Sequence, residues 1–150
     1  MIIYRLTNGK YANDISGTGS KLYGGRWNPP GIAVLYTSQY ISLAILEILV
    51  RASKDTSPSS YTLLSFEIPE NGIYELQYKK LKKEWQHDVI YTQEIGKDFL
   101  EENQSLCIKV PSAIVPQENN FLLNPLHSDF KKVKIISSEL LELDKRLSIY

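Results

Sequence analysis

The chain has 150 residues, 43% of them hydrophobic and 11% aromatic, and its 17 basic side chains balance 17 acidic ones. That length and composition fit one globular domain over 1–150 with a real core, and exclude a disordered chain. Zero formal charge excludes the basic footprint of a nucleic-acid or anionic-membrane binder, and a single cysteine, Cys107, excludes an intrachain disulfide and fits a reducing cytoplasm.

The opening "MIIYRLT" lacks the basic region and long apolar stretch of a signal peptide, and 2–6 reads as a short strand. Residues 7–25, rich in Gly, Ser, Asn and Asp, read as one long loop, a feature that is usually functional in a compact domain. Residues 31–38, "GIAVLYTS", read as a buried strand, and Ser38 as the N-cap of a helix over about 39–52. That helix is apolar nearly all round, which predicts a central position. Its core, "LAILEILV", is too short and too charged to span a bilayer.

Residues 53–60 read as a loop and 61–69 as a strand. Residues 79–85 read as a charged helical turn or loop, and 91–103 as a second helix with Ile95, Phe99 and Leu100 inward. Residues 105–115 read as a strand ending near Pro111, a bend and a further extended piece. Cys107 there reads as a small buried hydrophobe. Residues 119–130 read as a strand running into an Asn-Pro turn, and 131–137 as a last strand. Five or six strands and two main helices, without βαβ alternation, predict an α+β fold on a mixed or antiparallel sheet. The lysine runs at 79–83 and 131–134 read as solvated faces, because the chain is neutral.

Five side chains stand out as candidates for chemistry. In "GGRWNPPG" (24–31), glycines permit close backbone approach and prolines stiffen the exit, so Arg26 is held on a defined piece of chain. The alternative is an ordinary surface arginine near a turn. Glu47 is a lone carboxylate among apolar neighbours. It must pair, protonate or do work, unless it lies on an exposed helix edge. Tyr36 ends the strand feeding that helix, where ligand sites are common, but it also suits a core aromatic. Arg5, inside an apolar strand, reads as a charge-pair partner or an anion site. Ser112, between Pro111 and Ala113, has small neighbours that leave its hydroxyl accessible, or is a plain turn serine. The glycines of 17–25 fit neither a P-loop nor a dinucleotide fingerprint, and two histidines with one cysteine give no zinc spacing.

In order, "YRL", "GGRWNPPG", "YTS", "LAILE" and "VPSAIVPQENNFLLNPLH" resemble the pattern of the RES-domain family, named for an arginine, a glutamate and a serine. The resemblance spans residues 4–127 and is weakest over 70–104. It places the name-giving positions at Arg26, Glu47 and Ser112, with Arg5 and Tyr36 as further residues of the cleft. It implies a twisted, split sheet similar to that of ADP-ribosyltransferase toxins. It also implies the toxin of a bacterial toxin–antitoxin pair, depleting cellular NAD⁺ and arresting growth. NAD⁺ is then a substrate and not a cofactor. Its nicotinamide–ribose bond is cleaved by phosphorolysis, with inorganic phosphate as second substrate, or by hydrolysis, and some members are assigned ADP-ribosyl transfer. The implied partner is an Xre-type helix-turn-helix antitoxin that covers the cleft. No metal, membrane or direct nucleic-acid contact is expected. The competing expectation is a non-enzymatic module that binds nucleotides or RNA.

The chemistry fits those residues. A planar guanidinium, Arg26 or Arg5, suits a pyrophosphate. The Tyr36 ring suits stacking on a cationic nicotinamide. The Glu47 carboxylate suits the positive charge that develops on ribose as the glycosidic bond breaks. Ser112 suits either a phosphate oxygen or the positioning of that carboxylate.

Overall fold

Along the chain, the computed structural model has strand β1 at Ile2–Thr7, helix α1 at Thr18–Tyr23, strand β2 at Leu35–Ser38 and helix α2 at Ile41–Leu49. Strands β3 (Tyr61–Glu67) and β4 (Ile73–Glu75) follow, then helix α3 (Val89–Glu102) and strands β5 (Cys107–Pro111), β6 (Asn119–Leu123) and β7 (Lys134–Leu141). The structure describes residues 1–52 and 60–147, so the loop expected over 53–60 lies almost wholly outside the described residues.

All seven strands join one sheet in the order β4-β5-β6-β2-β1-β3-β7. Only β4 and β5 run parallel, with α3 as their crossover, and every other pairing is antiparallel. The fold is therefore the expected α+β type on a mixed sheet. β1 pairs β3 from Ile2↔Glu67 to Thr7↔Thr62, and β2 pairs β6 over all four of its residues. Between β1 and β2 the ladder has a single partner pair, Tyr4↔Ser38. Beyond that pair the two strands part, and a wedge opens at the middle of the sheet.

Each half of one sheet face has its own cover. Helix α2 lays Ala44 on Leu6, Tyr61 and Leu63 of the β1-β3 half. Helix α3 lays Leu100 against Ile108, Val110 and Leu122 of the β5-β6 half, together with Trp27 and Trp85. The opposite face, with Ile3, Leu35, Leu64, Phe66, Phe121 and Leu123, is closed by Ile15, Phe130 and Val133. Fully burying such a side chain is worth about 1.5–3 kcal/mol. The two helices thus stand on either side of the wedge.

Several expectations need correction. The stretch 7–25 is not one loop: it contains a 3-10 turn at Gly9–Tyr11 and helix α1. Tertiary bonds hold α1, since Ser20 Oγ donates to Val34 O at 2.7 Å and Gly31 N–H donates to Lys21 O at 2.7 Å. The strand expected over 31–38 is confined to its last four residues. Helix α2 starts after Tyr40, without a side-chain cap, because the Ser38 hydroxyl donates to Asn120 instead. It is also not buried all round: only Leu43 and Ala44 are fully enclosed, while Ile41, Leu46 and Val50 are exposed.

Helix α3 begins two residues earlier than expected, because the Asp88 carboxylate accepts from Tyr91 N–H, and it ends at Asn103 in the left-handed region. The three-residue β4 is an additional strand, and residues 112–115 form a bend with no further extended piece. Cys107 is fully buried in the core, and burial pushes its thiol pKa up, as suits an inert side chain.

Candidate active site

The residues 24–31 form a clamp. Gly25 N–H donates to Asn28 O at 2.9 Å, closing a tight turn with Arg26 and Trp27 at its tip. Gly24 takes φ 72°, which favours glycine. A Cβ on Gly25 would fall 2.6 Å from the Tyr36 hydroxyl, so a side chain there is sterically excluded. Helix α3 grips the turn: Thr92 Oγ1 donates to Arg26 O at 2.6 Å and Gln93 Nε2 donates to Gly25 O at 2.8 Å. Trp27 is buried against Trp85, with ring centroids 5.6 Å apart, and so packs the turn down. Arg26 Nη1 donates to Gln86 O at 2.8 Å, which fixes one arm of the guanidinium in the cleft.

Asn28 and Tyr36 lock this turn to β2. Buried Asn28 donates through Nδ2 to Ser20 O at 2.9 Å and Ile32 O at 2.8 Å. The Tyr36 hydroxyl donates to Asn28 Oδ1 at 2.6 Å and accepts from Trp27 N–H at 3.0 Å. Burial pushes the Tyr36 pKa up to about 12, so at neutral pH the residue is an uncharged donor and not a base. Tyr36→Phe should therefore destabilise the protein by about 1–3 kcal/mol, because it strands two partners. Denaturant unfolding of variant and parent checks this, and an unchanged midpoint would mean that the hydroxyl is dispensable.

Glu47, on α2, faces the wedge. Its Oε1 accepts from Ser112 Oγ at 2.9 Å and from Asn120 Nδ2 at 2.5 Å. The Asn120 amide is itself oriented by Ser38 Oγ, which donates to Asn120 Oδ1 at 2.8 Å. Ser112 is fully buried, and its hydroxyl also accepts from the N–H groups of Ile114 and Val115, at 3.1 and 3.2 Å. The serine hydroxyl is therefore committed to fixing the carboxylate and to its own turn. Among the described residues nothing bonds Glu47 Oε2, and no arginine forms an ion pair with Glu47.

These groups border one cleft of about 550 Å³, within the range of small-molecule sites. Arg5, Arg26, Tyr36 and Glu47 all line it, and Ser112 lies just behind, next to the lining residue Ala113. Arg5 Nη1 donates to Asp14 O at 2.9 Å. Burial lowers its pKa from the ordinary arginine value, with the Asp14 charge acting the other way. Arginine remains a cation nonetheless. Among the described residues no group of three or more His, Cys, Asp and Glu converges as a metal site, and no helix is long and apolar enough to cross a membrane.

Three further lining or supporting residues escape the sequence reading: Asn28, Asn120 and Arg51. Asn120 shares its face of β6 with the core residue Leu122, and a polar side chain on an inward strand position is a legible signal. Arg51 lies four residues after Glu47, which places the two on one helical face. Its guanidinium carbon sits 5.7 Å from the centroid of the Tyr36 ring.

The chain has relatives among known proteins. A toxin named Toxin Res from Photorhabdus laumondii is 47% identical over 135 residues, covering 88% of this chain and 86% of that protein. The Prs ADP-ribosylating toxin of a Sphingobium species is 33% identical over 128 residues, covering 82% and 80%. A chain in the crystal structure of the M. tuberculosis MbcT–MbcA toxin–antitoxin complex superposes with a TM-score of 0.76 at 18% identity, over 94% of this chain and 84% of that one. That last likeness is one of fold. Residues 2–144 match the RES domain, and with two such relatives at this identity and coverage the chain belongs to the RES-domain family.

Proposed function

We propose that this protein is the toxin of a toxin–antitoxin pair and that it acts by breaking the nicotinamide–ribose bond of NAD⁺. The names of its relatives support the toxin part, and one of them is named for ADP-ribosylation. The observation that carries the chemistry is the Glu47 carboxylate, fixed by Ser112 and Asn120 on the wall of an arginine-lined cleft.

Arg26, clamped by α3, and Arg5, on β1, hold the diphosphate through charge-assisted hydrogen bonds. The ribose lies against Glu47. As the glycosidic bond lengthens, positive charge develops on the ribose, and a carboxylate in a partly desolvated site stabilises it. Nicotinamide departs as a neutral base, so no acid is needed to protonate it. Ser112 and Asn120 act by positioning: they keep Glu47 from collapsing onto an arginine. Tyr36 holds the Arg26 turn and forms one wall. A second reading, transfer of ADP-ribose to a protein, rests on the name of the Sphingobium relative.

Inducing the chain in cells should arrest growth and drain NAD⁺ within the same interval, and Arg26→Lys should relieve both, because lysine lacks the planar fork. Growth arrest with an undiminished NAD⁺ pool would contradict the reading.

The partner is an antitoxin, of the Xre helix-turn-helix type, that closes the cleft. Exposed Tyr23 lines the cleft and offers an apolar anchor, exposed Leu22 precedes it on α1, and a neutral chain has little long-range charge to steer association. Hydrogen exchange should show protection of residues 7–28 in the complex, with NAD⁺ turnover silenced. A complex that turns over NAD⁺ at the free rate, with 7–28 unprotected, would contradict it.

A further inference from the structure

Resting on the NAD⁺ reading, we propose that Tyr23 is a substrate-binding residue whose ring stacks on the adenine base of the dinucleotide. Three observations converge. First, five aromatic side chains line the cleft, Tyr4, Tyr23, Trp27, Tyr36 and Tyr61, and four of them are already spent. Trp27 is buried against Trp85. Tyr61 is buried in the cluster that includes Ala44 of α2, and Tyr4 packs against that same cluster. Tyr36 packs against the core of the β5-β6 half and carries the Arg51 guanidinium over its ring. Tyr23 is 85% exposed and belongs to no core cluster. Its side chain makes no hydrogen bond or ring contact among the described residues. An unpartnered aromatic ring on a cleft wall is free to take a flat ligand.

Second, the backbone beneath this free ring is fixed. Tyr23 is the last residue of α1. The residues around it are bonded on both sides: Gly24 N–H donates to Ser20 O at 2.8 Å, and Gly31 N–H donates to Lys21 O at 2.7 Å. Gly24 takes φ 72°, and a Cβ there would meet Pro30 Cδ at 3.0 Å, so the chain turns sharply from Tyr23 into the Arg26 clamp. A ring presented from a fixed base loses less freedom on binding than one on a loose loop.

Third, burial separates the two halves of the substrate. Glu47, assigned to the ribose whose bond breaks, is held by the buried side chains of Ser112 and Asn120. Tyr23 faces solvent, three residues before Arg26, which is assigned to the diphosphate. Beyond the diphosphate from the reacting ribose lies adenosine, the half that undergoes no chemistry. A solvent-facing ring suits that half. Stacking reads the flat face of a base, and it is equally strong before and during bond breaking. Its energy therefore goes into substrate affinity and not into turnover.

The test is nicotinamide release by the purified chain from NAD⁺ and from nicotinamide mononucleotide, for the parent, Tyr23→Ala, Tyr23→Leu and Tyr23→Phe. Tyr23→Ala should raise the KM for NAD⁺ about 10-fold or more and move kcat less than about threefold, because one base–aromatic stack is lost. Its kcat/KM for the mononucleotide, which has no adenine, should stay within about threefold of the parental value. If the parent leaves the mononucleotide uncleaved, its inhibition constant against NAD⁺ is compared instead. Tyr23→Leu, apolar but not aromatic, should lose affinity as Tyr23→Ala does, and Tyr23→Phe, which keeps the ring, should recover most of the loss. Melting curves check folding, and if Tyr23→Ala does not fold, Tyr23→Leu decides. An unchanged KM for NAD⁺, an equal loss on the mononucleotide, or a parental KM in Tyr23→Leu would overturn the proposal. If the parent releases no nicotinamide from NAD⁺, the NAD⁺ reading fails. Calorimetric titration with ADP then judges the site: binding weakened in Tyr23→Ala and recovered in Tyr23→Phe upholds the stack, and equal or absent binding overturns it.

Discussion

Glu47→Gln should lower nicotinamide release about 100-fold or more, the scale of removing one preorganised electrostatic stabiliser, and leave folding intact. The structural reason for separating the two effects is the hydrogen-bond pattern. Glu47 only accepts from Ser112 and Asn120, both through Oε1. A glutamine carbonyl oxygen accepts the same two bonds, so the side chain keeps its place and loses only its charge. Ser112→Ala has the complementary signature. It keeps the charge but removes one of the two bonds that fix the carboxylate, and it leaves the N–H groups of Ile114 and Val115 without their acceptor. Circular dichroism and melting establish folding, and nicotinamide release measures the loss. A folded Glu47→Gln protein with near-parental turnover would remove the carboxylate from the mechanism.

Gly96→Ala should damage the fold more than any surface change. Gly96 lies on α3 where the helix meets the 24–31 turn, and a Cβ there would sit 1.7 Å from Trp27 O. Backbone cannot yield as a flexible side chain does. The helix must shift, and with it Thr92 and Gln93, which grip Arg26 O and Gly25 O. A loss of about 3 kcal/mol or more is expected, with Tm lower by roughly 6–12 °C for a domain of this size. Gly19→Ala is the control. Gly19 is in α1 with nothing within 4 Å of its would-be Cβ, so helix propensity alone makes that change neutral or stabilising by up to about 1 kcal/mol. Equal melting of Gly96→Ala and the parent would refute this contact.

The sequence carries the site more plainly than the fold. Glu47 is conspicuous because a lone carboxylate in an apolar helix demands a partner, and the partners are polar side chains on other elements. Arg26 is conspicuous because glycine and proline constrain the chain about it. What the sequence hides is where a hydroxyl or amide is spent. Ser38 has every property of an N-cap, but its hydroxyl serves Asn120 on the neighbouring strand, so α2 starts later. Helix α1 has a loop composition and exists through bonds to Val34, Asn28 and Gly31, each reached only after the chain has turned back. Strand β4 is three residues long and gains its hydrogen bonds from β5, more than thirty residues later. Tyr36 illustrates a mixed outcome: its position at the cleft is legible, whereas its hydroxyl proves to be framework and its ring carries Arg51.

The wedge between β1 and β2 is also beyond local sequence. Each of the two strands is fully paired on its outer edge. Their pairing is limited to Tyr4↔Ser38, and residues of both strands line the cleft.

The central claim is that this cleft cleaves NAD⁺ at the nicotinamide–ribose bond. It is tested most directly by mixing the purified chain with NAD⁺, with and without phosphate, and identifying the products by chromatography and mass spectrometry. The expected result is one nicotinamide released per NAD⁺ consumed, with ADP-ribose 1″-phosphate as the partner product when phosphate is present, and neither product from Glu47→Gln above about one part in 100 of the parental rate. NAD⁺ remaining intact with the folded protein, with and without phosphate, would contradict the claim.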